Sequence, residues 1–177
     1  MLFTFTGLVD QVLQTGAIDR IRRNHGLEHA TLHVLGGWLP RMPLAGHSDR
    51  GGFWILGQAD INDVQRAVDE ALRRLRAGEK ELAVHPNCGT NFVTSGVLAG
   101  VAASLAMFGA GHKTRDKLER LPLAISLATV TLVSAQPLGL QIQERYTTSG
   151  WPGDLRVISI TQRQRGGFQA YRVATEG

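Results

Sequence analysis

Apolar residues recur along this chain with periods that change from segment to segment. Leu2, Phe5, Leu8, Val9, Val12 and Leu13 share one face at helical spacing. They predict an N-terminal amphipathic helix suited to lie on a membrane surface. Ile18, Ile21, Leu27, Leu32 and Leu35 carry the same period through residues 17–35, and Gly36-Gly37 ends that second helix. Residues 38–50, with Pro40, Pro43 and Gly46, read as loop. Gly52 to Leu56 is a short strand. Asp60 or Asn62 caps the next helix, whose core face is Val64, Ala67, Val68, Ala71, Leu72 and Leu75 and whose end is Gly78. Glu81 to His85 reads as a second strand. Strand, helix and strand in this order predict a βαβ unit with parallel strands.

The pattern then changes in kind. From Phe92 to Gly111 run about 20 apolar or small residues, the length of a membrane span. Ser95, Gly96, Ala99, Gly100 and Ala103 supply the small faces that let helices approach closely. A second uncharged stretch covers Leu121 to Gln143, interrupted at Pro137. The charged linker from His112 to Lys117 joins the two, which together predict a transmembrane hairpin. The soluble alternative is a buried helical hairpin, since both stretches are rich in Ala and Gly. After Trp151-Pro152-Gly153 the period becomes two, and the runs 156–163 and 168–173 flank Gly166-Gly167 as a β-hairpin. The expected fold is α/β: a small mixed sheet made of the βαβ unit and the C-terminal hairpin, a site-bearing helix and a two-helix membrane hairpin. The expected division is 1–90, 91–143 and 144–177.

Composition narrows the partners. A chain of 177 residues, 43% hydrophobic, holds one domain with a real core. No Asp, Glu, Lys or Arg occurs between Glu81 and Lys113, or between Arg120 and Glu144, so the charge is segregated from the apolar runs. The net charge of +4 comes mostly from arginines, clustered at Arg20, Arg22, Arg23 and at Arg73, Arg74, Arg76. Aromatics are only 6% and do not interleave with them, which excludes a nucleic-acid surface and favours bilayer headgroups. The single cysteine, Cys88, excludes an internal disulfide framework.

Two short motifs carry chemistry. His25-Gly26-Leu27-Glu28-His29 is an H-x-x-E-H run inside the second helix. His25 and His29 stack one turn apart and can grip one metal ion, while Glu28 beside them can handle the proton of an activated water. His33 lies one turn further on the same face, as a second-shell partner. His85-Pro86-Asn87-Cys88-Gly89-Thr90 follows the second predicted strand. His85 and Cys88 are both zinc-type ligands, and Pro86 and Gly89 fix a turn that aims them at one point. His47 and His112 are isolated.

The pairing of H-x-x-E-H-x-T (His25, Glu28, His29, Thr31) with H-P-x-C-G-T (His85, Pro86, Cys88, Gly89, Thr90), just before an apolar stretch, resembles uncharacterised bacterial membrane proteins of the YqhQ type and their domain-of-unknown-function relatives. That likeness spans roughly residues 20–111 and implies a membrane-bound family with a metal site. The H-x-x-E-H run is also similar to that of inverzincin peptidases such as the insulinase class, which implies a zinc metallopeptidase.

The expected function is therefore a membrane-bound zinc metallopeptidase. His25 and His29 bind Zn²⁺, Cys88 or His85 completes the site, and Glu28 is the general base. Its expected partners are the lipid bilayer and a peptide or membrane-protein substrate, with oligomerisation possible through the small-residue span. If His85 and Cys88 both bind, the site closes and becomes structural. The rivals are a cysteine hydrolase or acyltransferase using Cys88, and a membrane adaptor with a structural zinc. The expected location is the bacterial cell membrane. A basic linker (Lys113, Arg115, Lys117, Arg120) favours a cytoplasmic linker. The single cysteine and the lack of an export signal favour a cytoplasmic site, which is the expectation adopted.

Overall fold

The computed structural model describes residues 11–165 and 168–177. The N-terminal amphipathic pattern up to residue 10 and the Gly166-Gly167 turn lie outside the described residues. Helix α1 (Gly16–Trp38) is followed by strands β1 (Ala45–Asp49) and β2 (Gly52–Leu56) and helix α2 (Ile61–Arg76). A 3₁₀ turn at Lys80–Ala83 leads to helices α3 (Gly89–Met107), α4 (Thr114–Ser134) and α5 (Gln136–Ile142). A π turn at Gln143–Thr147 precedes strands β3 (Arg156–Arg165) and β4 (Phe168–Glu176). The chain divides into two compact units, Met1–His85 with Glu144–Gly177, and Pro86–Gln143.

The first unit is a four-stranded sheet, β1-β2-β4-β3, with every neighbouring pair antiparallel. This corrects the expected mixed sheet with its parallel βαβ unit. Residues 81–85 form no strand, because the carbonyls of Ala83 and Val84 accept hydrogen bonds from His29 and His33. Spent on imidazoles, those acceptors are lost to a ladder. The missing strand is replaced by β1, from the stretch read as loop. Its sequence, Ala-Gly-His-Ser-Asp, has no alternation. Register with β2 comes from the tight Arg50-Gly51 connection, where the Asp49 carboxylate accepts the Gly51 N–H at 2.7 Å.

The core follows from periodicity. Phe53 and Ile55 alternate onto one face of β2 and stand opposite Val173 and Tyr171 of β4. Against them pack Leu27 and Leu35 of α1 and Val64, Val68 and Leu75 of α2. Full burial of each such side chain is worth about 1.5–3 kcal/mol. The Asp60 side chain caps α2 by accepting the Asn62 N–H at 2.8 Å, and Gly78 at φ +99° ends it. Helix α1 continues past Gly36-Gly37 and stops at Leu39, the residue whose helical conformation Pro40 disfavours.

The arginines of α1 act inside the chain. Arg20 donates to the Thr175 carbonyl, Arg22 to those of Arg145 and Thr148, and Arg23 pairs with Asp19 and Asp154. Arg73 and Arg74 hold Glu70 and Glu79, while Arg76 donates to the Leu155 carbonyl. Arg20, Arg22, Arg23 and Arg76 thus cross-link segments of the first unit, while Arg73 pairs within its own helix.

In the second unit α3 and α4 form a helical hairpin. Helix α3 is long and apolar enough to cross a bilayer, with a mean hydropathy of 1.4 over its best window, only 22% of which is buried. Phe92, Val97, Val101 and Leu105 all stand exposed on it. Helix α4 reaches that standard only together with the helical segment after it, across a 45° bend at Ala135. Asn91 fixes the start of α3 by donating to the Pro86 carbonyl at 2.8 Å and accepting from Gln143 at 3.0 Å.

One glycine sets the approach of α1 to the C-terminal segment. A Cβ at Gly26 would overlap the Ser149 carbonyl oxygen, which belongs to the backbone and cannot yield cheaply. Gly26→Ala is expected to destabilise the fold by about 1–3 kcal/mol through this overpacking. Thermal unfolding measures it, and an unchanged Tm would contradict the close approach.

Candidate metal centre

Helix α1 carries His25, Glu28, His29 and His33 within about two and a half turns. The i, i+4 spacing brings the rings of His25 and His29 to 4.3 Å between centroids. His85, at the end of the first unit's N-terminal segment, places its ring 5.7 Å from His29 and 4.8 Å from His33. The structure therefore gathers three of the expected ligands, His25, His29 and His85, and adds His33 to them. Cys88 belongs to the second unit, where it is the N-cap residue of α3, its carbonyl accepting the Asn91 N–H at 3.0 Å. His47 and His112 are exposed.

Hydrogen bonds fix the chemistry of three of these rings. His25 Nδ1 lies 2.9 Å from the Thr147 carbonyl oxygen, and His29 Nδ1 lies 2.8 Å from that of Ala83. His33 uses the other nitrogen, with Nε2 2.9 Å from the Val84 carbonyl oxygen. A carbonyl can only accept, so each of these nitrogens carries the proton. In the neutral ring the lone pair then sits on Nε2 in His25 and His29 and on Nδ1 in His33. Metal-binding histidines are held in this way, with one ring N–H on a carbonyl and the opposite nitrogen presented to the ion. Two imidazoles sharing a tetrahedral zinc, at Zn–N of about 2.0–2.1 Å, keep their centroids roughly 5 Å apart. The His25–His29 and His29–His85 separations bracket that value. Imidazole donors held in this way could bind a metal ion.

Glu28 points to the sheet. Its carboxylate accepts a hydrogen bond from the Ser48 hydroxyl of β1, and a Cβ at Gly46 would overlap it. Glu28 is only 3% exposed. Burial pushes its carboxyl above the ordinary range, while the Ser48 hydroxyl and the charges of His25 and His47 pull the other way. His85 is lowered from 6.5 to about 4 by burial and by the neighbouring charges of His33 and His29.

Sequence reasoning did not find Ser48, Gly46 or the carbonyls of Ala83, Val84 and Thr147. Backbone acceptors leave no mark in a sequence, and Ser48 sat in an apparent loop.

The depressed His85 has a consequence for the metal-free protein. Held neutral when folded, it takes up a proton more readily in the unfolded chain. Stability is then full above pH 6.5 and falls as pH drops from 6.5 toward about 4. Urea unfolding of metal-free protein across that interval is expected to show the decline, with a shallower slope in His85→Gln. Identical slopes would contradict the half-buried, neutral ring.

Comparison with known proteins places this arrangement in a family. Residues 20–160 match the family model described as a domain of unknown function, DUF6391. The chain is also 36% identical over 155 residues to an uncharacterized protein of Picosynechococcus sp. (strain ATCC 27264 / PCC 7002 / PR-6), covering 75% of this chain and 76% of that protein. No solved structure matches it. The matched span runs from the first turns of α1, through the histidines and Cys88, into β3, so the chain, candidate centre included, belongs to the DUF6391 family.

Proposed function

We propose that this chain is a membrane-embedded zinc hydrolase acting on peptide bonds, with His25 and His29 as the core of its metal centre. One observation carries the reading. Both rings give their Nδ1–H to backbone carbonyls, so in the neutral rings the donor nitrogen is Nε2, the tautomer of a metal-binding histidine. His85, 5.7 Å from His29 between ring centroids, is a third donor. Cys88 is the other candidate for that place, and a set of His25, His29 and Cys88 has the chemistry of a zinc site. Cys88 is only three positions after His85, so their Cα atoms are at most about 11 Å apart. The likeness to YqhQ-type membrane proteins and to inverzincin peptidases supports the same donors through the paired motifs alone.

When bound, zinc supplies Lewis acidity, lowering the pKa of water toward about 7 and polarising a carbonyl. The rest of the chemistry falls to the chain. Glu28, one residue before His29, receives the proton of the attacking water and delivers it to the leaving amine. Its raised pKa suits both halves of that task, since a carboxyl nearer neutrality both accepts and releases a proton. The Ser48 hydroxyl donates to Oε2, and Oε1 lies against Gly46. The exposed apolar face of α3 supports insertion in a bilayer, with α4 and α5 as a bent second span. The substrate is then a peptide or a membrane protein reached from that surface.

A structural zinc is the second reading, and the position of Glu28 favours it. The carboxylate is buried against β1, and His33 and His85 add donors that would close the coordination shell.

One set of variants separates the two. Purified wild type is expected to hold about one zinc per chain, and His25→Ala and His29→Ala are each expected to lose it. Glu28→Gln keeps the shape and the zinc, and peptide cleavage falls by about 10²–10⁴-fold. Full cleavage by Glu28→Gln would falsify the hydrolase. A wild type that holds zinc and cleaves nothing would establish the structural reading.

A further inference from the structure

The first unit contains a second feature, to which none of the histidines contributes. The chain leaving α1 and the end of β2 line an open groove with a volume of about 1280 Å³. Its walls are apolar: Trp38, Leu39, Met42, Leu44 and Leu56 contribute most of them. Ligand pockets commonly measure about 300–1,000 Å³, so this one is large enough for a long hydrocarbon chain. Its rim is braced. Pro40 and Pro43 restrict the connecting segment, and the Met42 N–H bonds the Leu39 carbonyl at 3.0 Å. Gly57, at φ +157°, leaves the Leu44 side chain the space that a Cβ would fill.

The charge at this groove has one sign. Among the described residues that line it, Arg41 is the charged one, and no carboxylate faces it. Arg41 is exposed. A second guanidinium, Arg66, lies 5.7 Å from the Trp38 ring, although it also pairs with Asp63. An open apolar groove with one exposed arginine beside it is complementary to an amphiphile carrying a single negative head. Arginine's planar fork matches a carboxylate with two parallel hydrogen bonds.

We infer that this groove binds a long-chain fatty carboxylate, its hydrocarbon among Trp38, Leu39, Met42, Leu44 and Leu56 and its head group on Arg41. The inference stands apart from the zinc reading, because no residue of the candidate metal centre lines the groove.

Trp38 makes the site observable, since the other tryptophans, Trp54 and Trp151, do not line the groove. Full-length protein is placed in nanodiscs of neutral phosphatidylcholine and titrated with brominated fatty acids of increasing length. Bromine is expected to quench wild-type fluorescence, and Trp38→Phe is expected to abolish most of the quenching. Each methylene buried in the groove tightens binding by up to about fourfold, as its transfer free energy implies. Arg41→Gln is expected to weaken the carboxylate by about 10–100-fold, the worth of hydrogen bonds to a charged group. The brominated alcohol of equal length should bind Arg41→Gln and wild type alike. His29→Ala is expected to bind the carboxylate as wild type does, so loss of zinc and loss of lipid are told apart. Equal quenching in Trp38→Phe, or equal affinity for acid and alcohol in wild type, would mean partition into the bilayer and overturn the proposal. Displacement of the fatty acid by phosphatidylglycerol or by an apolar peptide at lower concentration would overturn the assignment of the occupant.

Discussion

Three hydrogen bonds from imidazole to backbone hold the candidate centre together. His29 and His33, one turn apart on α1, reach the consecutive carbonyls of Ala83 and Val84, and His25 reaches Thr147. Each bond satisfies an acceptor that would otherwise seek a ladder and fixes which ring nitrogen carries the proton. The segment 80–85 is thereby kept out of the sheet, and His85 is delivered to the ring cluster. One constraint accounts for both the missing strand and the assembled site.

The packing around that constraint is arranged to let backbone approach backbone. Gly26 admits the Ser149 carbonyl to the surface of α1, and Gly46 admits the Glu28 carboxylate to β1. Arginines 20, 22 and 23 then tie the same helix to the C-terminal segment through carbonyls and carboxylates. Asn24, fully buried, donates to the Asp49 carbonyl and accepts from the Thr175 hydroxyl, joining α1 to both β1 and β4. Helix α1 is thus bound by polar contacts on several sides and by Leu27 and Leu35 in the core. Such a site is rigid before any ion arrives, the condition under which a metal centre binds tightly.

Much of this was legible in the sequence, and the residues explain where it was not. The helical period of Val64 to Leu75 and the Asp60 cap specify α2, and the i, i+4 histidines specify a shared face. The alternation after Arg156 specifies the two C-terminal strands. Residues 81–85 read as a strand from their apolar Leu82, Ala83 and Val84, yet five residues are too few to outweigh two histidines that claim their carbonyls. Strand β1 had no pattern to read, because an edge strand with Gly46 and Ser48 facing a helix needs no apolar alternation. The arginine clusters looked like a surface for anions because carbonyl partners more than a hundred residues away cannot be read from local charge. Glu28 was legible as a carboxylate beside the pair of histidines, but its partner Ser48 was not.

The central claim is that His25 and His29 hold a zinc-class ion by Nε2. X-ray absorption at the zinc edge of the purified, zinc-loaded chain tests it most directly. The account predicts one zinc with at least two imidazole nitrogens at about 2.0–2.1 Å, and a sulfur at about 2.3 Å if Cys88 completes the set. In His29→Ala that signature should be lost. A zinc spectrum made only of oxygen ligands, or one that His29→Ala leaves unchanged, would contradict it.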